Sequence, residues 1–312
     1  MQHAYETARR LRENMESVIL GKHEAVRSIV LTLLAGEHLL LEDVPGVGKT
    51  LAAKALAGSI DTKFSRIQFT PDLLPSDITG SSIYRSDTQE FRFTPGPIFA
   101  NVVLADEINR APPRTQSALL EAMSDHQVSV DGTTYPLPQP FIVVATQNPF
   151  EFEGTYILPE SQMDRFLMRT SIGYPPRESE RRVLESHRNG EPVDSIAKVV
   201  NADDILAAQA AVRSVRFDES LQDYLLEIVE ATRSTDAFQL GVSTRAALSF
   251  YRGCQARAIT EEREFVTPDD VKSLAVSTLS HRVLIDDFSG TAGRQTAEEL
   301  MAELLRKIPV PV

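Results

Sequence analysis

The sequence contains a single cysteine, Cys254, among its 312 residues. One cysteine cannot close a bridge within the chain, which excludes a disulfide framework and makes a reducing compartment the default expectation. No motif that would activate a thiol lies near Cys254. We therefore expect this residue to be a small buried apolar side chain and not a nucleophile.

Long apolar runs are also absent. No stretch approaches the roughly 18 consecutive apolar residues of a membrane-spanning helix. Residues 1–10 are polar and lack the apolar centre of a signal peptide. These absences predict a soluble, cytoplasmic protein with no direct membrane insertion.

Positive charge is scarce. The chain has 32 lysines and arginines against 44 acidic residues, a formal net charge of -12, which opposes unassisted binding to nucleic-acid phosphates or to an anionic membrane surface. The chain is 42% apolar and 7% aromatic. Its length and composition fit a globular α/β or helical protein of about two domains.

A glycine-rich loop at 42–50 organises the rest of the chain. It follows the apolar run 38–41 and leads into a helix-forming segment at 51–57. The N–H groups and positive helix end of such a loop bind phosphates, while lysine supplies a charge and threonine can ligate magnesium. The predicted nucleotide-binding residues are Gly46, Val47, Gly48, Lys49, Thr50 and Leu51, with Gly21 from a turn that two helical segments bring up to the loop.

Two points limit what the loop alone establishes. A surface turn before a helix is the alternative interpretation of the same residues. The general phosphate-loop pattern also has glycine at position 43, where this chain has Asp43. The loop therefore supports nucleotide binding and leaves hydrolysis open.

Two adjacent acids, Asp106 and Glu107, end the apolar strand predicted at 101–107. An isolated pair of this kind would be interpreted as the cap of a strand-to-helix turn. Downstream of a phosphate loop it matches what phosphoryl transfer requires, one carboxylate in the magnesium shell and one to activate water. We assign Asp106, with Thr50, to Mg²⁺ and Glu107 to the attacking water.

Asn148 follows the buried strand predicted at 141–146. An amide at the carboxyl edge of a parallel strand would lie beside the phosphate loop and could sense the terminal phosphate. Taken alone, Asn148 and the proline after it are an ordinary turn.

Two segments interrupt the predicted core. Residues 70–97 contain four prolines and one strand candidate at 90–94, too irregular and too long for an ordinary connection. Residues 127–138 contain a hairpin around Asp131 and Gly132, a pair that tolerates positive φ. We interpret both segments as insertions.

The strand pattern stops at 173–176. Helical patterns follow at about 176–188, 202–213, 218–232, 243–258, 268–278 and 292–307. We therefore predict an α/β nucleotide-binding core over 1–174 and an all-helical domain over 175–312.

Five motifs, in this order, resemble the MoxR family of AAA+ ATPases. They are Asp-Val-Pro-Gly-Val-Gly-Lys-Thr at 43–50, Leu-Ala-Asp-Glu-Ile-Asn-Arg-Ala at 104–111, Ala-Thr-Gln-Asn-Pro at 145–149, Leu-Pro-Glu-Ser-Gln-Met-Asp-Arg-Phe at 158–166 and Gly-Val-Ser-Thr-Arg at 241–245. Asp43 is usual in this family, which weakens the objection to hydrolysis. The resemblance implies a core with a central parallel sheet flanked by helices, then an all-helical lid. It also implies ATP and Mg²⁺ as cofactors and a homo-hexameric ring with ATP at its subunit interfaces.

The resemblance also implies roles for further residues. Asn148 matches the sensor 1 position and Arg245 the sensor 2 arginine of the lid. Arg165 matches the arginine finger donated to the neighbour's γ-phosphate. The rivals for that role are Arg110, Arg114 and Arg169. Both insertions would face the ring pore and touch a substrate.

Family members act as chaperone-like machines, often with von Willebrand factor A-domain partners, in enzyme maturation or metal cofactor insertion. The resemblance implies that task here, on a protein client. A nucleic-acid motor is the alternative, disfavoured because 127–140 has no lysine or arginine and 70–97 has two arginines against four acids. A nucleotide-gated scaffold with negligible turnover is a third possibility.

Overall fold

A computed structural model of the chain describes residues 1–150, 154–285 and 291–311. Its strands are β1 (Leu39–Glu42), β2 (Ile60–Asp61), β3 (Phe64–Gln68), β4 (Gly80–Arg85), β5 (Glu90–Pro95), β6 (Val102–Asp106), β7 (Gln127–Val130), β8 (Thr133–Pro136), β9 (Ile142–Gln147), β10 (Met168–Thr170) and β11 (Val200–Asn201).

Helices account for most of the remaining described residues. They are α1 (Gln2–Glu16), α2 (His23–Ala35), α3 (Lys49–Ser59), α4 (Pro75–Thr79), α5 (Pro113–Asp125), α6 (Glu160–Met163), α7 (Arg177–Ser186), α8 (Ala202–Arg213), α9 (Glu219–Ser234), α10 (Thr244–Thr260), α11 (Pro268–Leu279) and α12 (Thr291–Lys307). None of the helices in the described ranges is long and apolar enough to cross a bilayer.

Five parallel strands form the central sheet, in the order β10-β1-β9-β6-β3. Successive side chains of a strand point to opposite faces. Leu39 and Leu41 accordingly belong to one core cluster, with helices from both ends of the chain, while Leu40 belongs to a second cluster with Leu119 and Leu120 of α5. Because the sheet is covered on both faces, its central strands β1, β9 and β6 are largely apolar runs, whereas the edge strand β3 alternates. The predicted fold class, a parallel sheet core followed by a helical lid, is confirmed.

The carboxyl ends of parallel strands share one edge of the sheet. β1 runs into the glycine loop, β6 into Glu107 and β9 into Asn148. The first residues of α3 follow the loop at once. This strand order is what collects the predicted site residues at a single edge.

Each predicted insertion contains a hairpin, and the first also contains α4. β4 pairs with β5 and β7 with β8, each antiparallel. The strand at 90–94 was predicted, whereas its partner β4 was not. Asp131 and Gly132 have φ of 51° and 79° at the predicted turn. Phe93 stacks on Tyr135 with ring centroids 4.0 Å apart, which joins the two hairpins.

The six helices predicted beyond residue 175 are present, from α7 to α12. The segment is not purely helical, because Val200 and Asn201 of β11 pair in parallel with Ile60 and Asp61 of β2. Two-residue strands are too short to leave a periodic pattern, so this pairing was missed. Residues 286–290 and 312 of the predicted lid lie outside the described residues.

Candidate active site

The loop between β1 and α3 forms an open concavity. Gly46 and Gly48 have φ of +82° and +97°, a region that residues with a side chain rarely adopt. A Cβ added to Gly46 would have no atom within 4 Å. The amino end of α3, which begins at Lys49, adds N–H groups that have no partner within the helix and a partial positive charge. This geometry suits a phosphate chain.

Lys49 points back over the loop. Its Nζ donates to the backbone oxygens of Asp43 and, at 3.0 and 3.4 Å, of Val44 and Gln147. Burial lowers the pKa of Lys49, and four nearby carboxylates, of which Asp43 and Asp106 act most strongly, raise it. The net effect is a lowered pKa, and the amino group of Lys49 lies inside the cavity close to acidic side chains.

The Asp106 carboxylate is held by three side chains. Its Oδ1 accepts a bond from Thr146 Oγ1 at 2.7 Å. Its Oδ2 accepts bonds from Thr50 Oγ1 at 3.3 Å and from Arg66 Nη2 at 2.7 Å. Thr50 and Asp106 were predicted to hold magnesium, and the structure brings these two hard oxygen donors together at the loop.

Glu107 has a left-handed backbone, with φ 57°, directly after β6. Its N–H donates to Thr146 Oγ1 at 2.8 Å. Its Oε2 accepts a bond from Gln68 Nε2 at 2.9 Å and lies 3.1 Å from Arg110 Nε. A positive φ in a non-glycine residue is uncommon and is typical of functional sites, where the surroundings hold it.

A single cavity of about 400 Å³ contains most of the predicted site. Its lining residues are Pro45, Gly46, Gly48, Lys49, Thr50, Arg66, Gln68, Asp106, Glu107 and Asn148. The side chain of Asn148 is fixed by a bond from Phe150 N to its Oδ1 at 3.1 Å. Val47 and Leu51 instead pack against the large core cluster.

The donor set fits a magnesium nucleotide. Mg²⁺ prefers oxygen ligands and in phosphate sites takes only one or two of them from protein, leaving the rest to phosphates and water. Thr50 and Asp106 supply that number. In the described part of the chain, no group of three or more His, Cys, Asp or Glu side chains is arranged to hold a metal by itself.

Asp43, the departure from the general loop pattern, ties the loop to the end of β10. Its Oδ2 accepts bonds from the backbone N–H of Ile172 at 2.8 Å and of Gly173 at 2.5 Å. Its Oδ1 accepts the N–H of Val44 at 2.8 Å. The chain leaves the sheet at this point and enters α7, so Asp43 joins the loop to the connection between core and lid.

Gly21 does not line the cavity. It has φ +73°, and a Cβ at this position would lie 2.3 Å from Ser179 Oγ and 3.3 Å from Pro176. The residue permits close packing of the turn between α1 and α2 against α7. Gly21 therefore packs against the start of the lid, and its predicted contact with the nucleotide stays a prediction.

Arg165 and Arg245 lie away from the cavity. Arg165 precedes β10, and Leu167 N bonds the backbone oxygen of His38 at the start of β1, so Arg165 is at the amino edge of the sheet. The loop is at the carboxyl edge, and strands of four to six residues separate these edges by about 13–20 Å. Both guanidinium groups bond Ser124 Oγ, at 2.5 and 3.0 Å. Burial lowers the pKa of Arg165, and the charge of Arg245 acts in the same direction.

The three rival arginines differ in their surroundings. Arg169 of β10, whose side chain is 10% exposed, lies between Glu42, at 3.6 Å, and Glu298 of α12, at 3.5 Å. Arg110 is paired with Glu107 of its own cavity. Arg114 is exposed in the first turn of α5. Its position between two carboxylates makes Arg169 a structural link between β1 and α12.

Sequence reasoning missed Arg66 and Gln68. Both lie on β3, beside β6, with Gln68 directly opposite Asp106. The alternation of 64–69 identified the strand but not its partner. The sequence did offer one signal for them: Arg66 and Gln68 are polar residues at alternate positions of the strand, on the face opposite Ile67.

Comparisons with known proteins cover the whole chain. The model of the ATPase family associated with various cellular activities (AAA) matches residues 38–168, and that of the AAA lid domain matches residues 230–304. The chain is 48% identical to the uncharacterized protein YeaC of Bacillus subtilis, over 96% of this chain and 93% of that protein. It is 39% identical to the chaperone MoxR1 of Mycobacterium tuberculosis, over 95% of this chain and 80% of that protein. The crystal structure of a candidate ATPase from Cytophaga hutchinsonii, 38% identical, matches with a TM-score of 0.89 over 100% of this chain and 97% of that one.

Proposed function

Because the chain belongs to the MoxR family of AAA+ ATPases, we propose that it uses ATP hydrolysis in a homo-hexameric ring to remodel a protein client. The family makes it an ATPase of a chaperone class. One observation carries the assignment of its site: the phosphate loop, the Thr50 and Asp106 pair, Glu107 and Asn148 line a single cavity.

Within that cavity each residue has a distinct role. The loop amides, Lys49 and the start of α3 bind and orient the phosphates. Thr50 and Asp106 would hold Mg²⁺, which would neutralise part of the charge on the nucleotide phosphates. Glu107 orients and deprotonates the attacking water, and Asn148 contacts the terminal phosphate. Arg110 and Gln68 fix the Glu107 carboxylate before it takes up that proton.

The site is completed by a neighbouring subunit. Arg165 and Arg245 lie at the opposite edge of the sheet from their own loop, so in a closed ring they face the loop of the next copy. Arg165 is the finger and Arg245 the second sensor. Two cations beside a γ-phosphate stabilise the charge that spreads over its oxygens during transfer.

The Glu107→Gln variant tests this assignment. An amide keeps the shape of the side chain but cannot accept the proton, so ATP turnover is expected to fall about 100-fold or more while ATP binding is retained. Phosphate release and binding of a fluorescent ATP analogue measure the two quantities, with Glu219→Gln on exposed α9 as control. Equal turnover in both variants would remove Glu107 from the mechanism. Negligible turnover by the unmodified chain would favour a nucleotide-gated scaffold.

The client contacts the two hairpins. Tyr84 and Phe91 at the tip of the first hairpin are 52% and 74% exposed, and Phe93 links this hairpin to the second. Exposed aromatic side chains on a projecting hairpin suit an apolar polypeptide segment. We propose client maturation with a von Willebrand factor A-domain partner, in the cytoplasm, and a boundary between core and lid at about residue 174. Capture of proteins from an extract by the Glu107→Gln variant in ATP, followed by their identification, would name the client and the partner.

A nucleic-acid motor is disfavoured by charge. The hairpin over Gln127–Pro136 carries one acid and no base, and the first insertion has a net charge of -2. Proteins that follow a phosphate backbone do so with lysine and arginine, and their affinity falls steeply with salt. Tight, salt-sensitive binding of DNA by the pure protein would replace the client assignment with this alternative.

A further inference from the structure

Arg66 contacts the same carboxylate oxygen that the metal site requires. Its Nε and Nη2 lie 3.1 and 2.7 Å from Asp106 Oδ2. Thr50 Oγ1 approaches this oxygen at 3.3 Å, while Oδ1 is occupied by Thr146. Asp106 Oδ2 is therefore the oxygen that faces the other magnesium donor, and a guanidinium is already bonded to it.

We propose that Arg66 and Mg²⁺ are competing partners of Asp106 Oδ2, and that Arg66 sets the Mg²⁺ concentration at which the site accepts Mg²⁺-nucleotide. The inference rests on the proposed nucleotide site. Two cations within about 4 Å repel each other strongly in a partly buried cavity. The Arg66 side chain is 47% exposed against 9% for Asp106, so the arginine can move into solvent while the carboxylate stays in place.

The same guanidinium is connected to Glu107. Arg66 Nη2 also donates to Gln68 Oε1 at 2.7 Å, and Gln68 Nε2 donates to Glu107 Oε2 at 2.9 Å. Movement of the Arg66 guanidinium into solvent would break its bond to Gln68 as well as those to Asp106, and so remove one of the bonds that orient the Gln68 amide. Arrival of Mg²⁺ at Asp106 is thereby communicated to the residue that activates water. Arg66 acts through these side chains and is a positioning residue.

If the ion pair between Arg66 and Asp106 were purely structural, a different result would be expected. Loss of such a pair would lower stability without changing how nucleotide binding responds to Mg²⁺. The response to Mg²⁺ is therefore the decisive measurement. It is a binding measurement and does not depend on turnover.

The test compares the unmodified chain with Arg66→Gln, Arg66→Lys and Arg213→Gln. Arg213 is an exposed arginine of α8 and provides the matched control. Binding of a fluorescent non-hydrolysable ATP analogue is measured in EDTA and then during Mg²⁺ addition. Arg66→Gln is expected to lower the half-saturating Mg²⁺ concentration about fivefold, the effect of one partly exposed ion pair. The affinity of each variant in EDTA is the reference from which this effect of Mg²⁺ is measured. Arg66→Lys, which lacks the fork that reaches both Asp106 and Gln68, is expected to shift the midpoint in the same direction by a smaller factor.

The possible outcomes separate this inference from the proposed function. An unchanged Mg²⁺ midpoint in folded Arg66→Gln and Arg66→Lys would overturn the competition. An equal loss of analogue affinity by Arg66→Gln in EDTA and in saturating Mg²⁺ would also overturn it and make Arg66 a phosphate contact. Failure of the unmodified chain to bind the analogue, with or without Mg²⁺, would instead remove the nucleotide site itself. If Arg66→Gln does not fold, the shift in Arg66→Lys decides.

Discussion

Arg165 and Arg245 both donate a hydrogen bond to one hydroxyl oxygen, Oγ of Ser124. One arginine belongs to the core and the other to the start of α10. Since like charges repel, such a pair is favoured when an anion is shared between them. Neither side chain lines the cavity of its own chain, and we propose that the anion they share is the nucleotide of a neighbouring subunit.

Mixing of two inactive variants tests this arrangement. Arg165→Ala alone is expected to lower turnover about 1000-fold, the usual effect of a lost finger, with ATP binding retained. Lys49→Ala disables the loop but keeps Arg165. If the finger acts between subunits, mixed rings recover part of the activity, because a Lys49→Ala subunit supplies Arg165 to an intact neighbouring site. If mixing restores no activity, Arg165 is not the finger. Arg114→Ala replaces Arg165→Ala in a parallel experiment, because Arg114 is the exposed rival for this role.

Asp43 is expected to hold the phosphate loop to the connection between core and lid. Asp43→Ala removes a charged acceptor from the N–H groups of Ile172 and Gly173. Hydrogen bonds to charged groups contribute roughly 1.5–3 kcal/mol, so the free energy of unfolding should fall by about 2 kcal/mol. Urea denaturation measures this loss, and amide exchange should quicken at these two residues. Unchanged exchange there would mean that the carboxylate does not restrain the connection.

His38 makes stability depend on pH. It is buried, its Nδ1 accepts a bond from Val143 N at 3.1 Å, and its Nε2 bonds Met123 O at 3.0 Å. Burial lowers its pKa from the ordinary 6.5 to about 4. Between pH 6.5 and about pH 4 the unfolded state binds more protons than the folded state. The contribution of neutral His38 to the free energy of unfolding is therefore complete above pH 6.5 and is lost as the pH falls towards 4. The loss amounts to roughly 3 kcal/mol.

Denaturation of His38→Gln at pH 7 and pH 4.5 measures that contribution. The variant should lose less stability over this interval than the unmodified chain, although both still titrate buried His281. His23→Gln, at an exposed position, should behave like the unmodified chain. Equal pH dependence in His38→Gln and the unmodified chain would show that His38 is not a buried neutral imidazole.

The two hairpins are expected to act as one unit through the Phe93 and Tyr135 stack. Aromatic pairs contribute about 0.5–1.5 kcal/mol beyond their buried area. A double-mutant cycle with Phe93→Ala and Tyr135→Ala should therefore give a coupling energy of about 1 kcal/mol in unfolding measurements. Tyr84→Ala with Tyr135→Ala serves as the comparison, since the Tyr84 ring contacts Phe91 instead. Additive effects of the first pair would leave the hairpins independent.

Local patterns were sufficient for most of the fold. The core strands, the lid helices and the Asp-Gly hairpin follow from apolar runs, helical periodicity and turn chemistry, which act over a few residues. The parallel arrangement of the sheet was predicted from the family resemblance. β4 escaped because Ser81, Ser82, Ile83 and Tyr84 do not alternate clearly and are largely exposed or half-buried. β2 and β11 were not predicted because a strand of two residues is too short to show an alternating pattern. Arg66 and Gln68 escaped because their importance depends on which strand lies next to theirs.

The sequence by itself determined the kinds of chemistry present: a phosphate loop, two acids after a strand and a polar amide after another. These three motifs depend on residue type and on spacing over a few residues, both of which are visible in the sequence. Only the tertiary structure decided which distant groups meet. Arg66 reaches Asp106, Asp43 holds Ile172 and Gly173, and two arginines converge on Ser124 because strand order and helix packing bring them together. In the loop at 42–50, Asp43 connects the phosphate site to the lid, a role that spacing along the chain could not express.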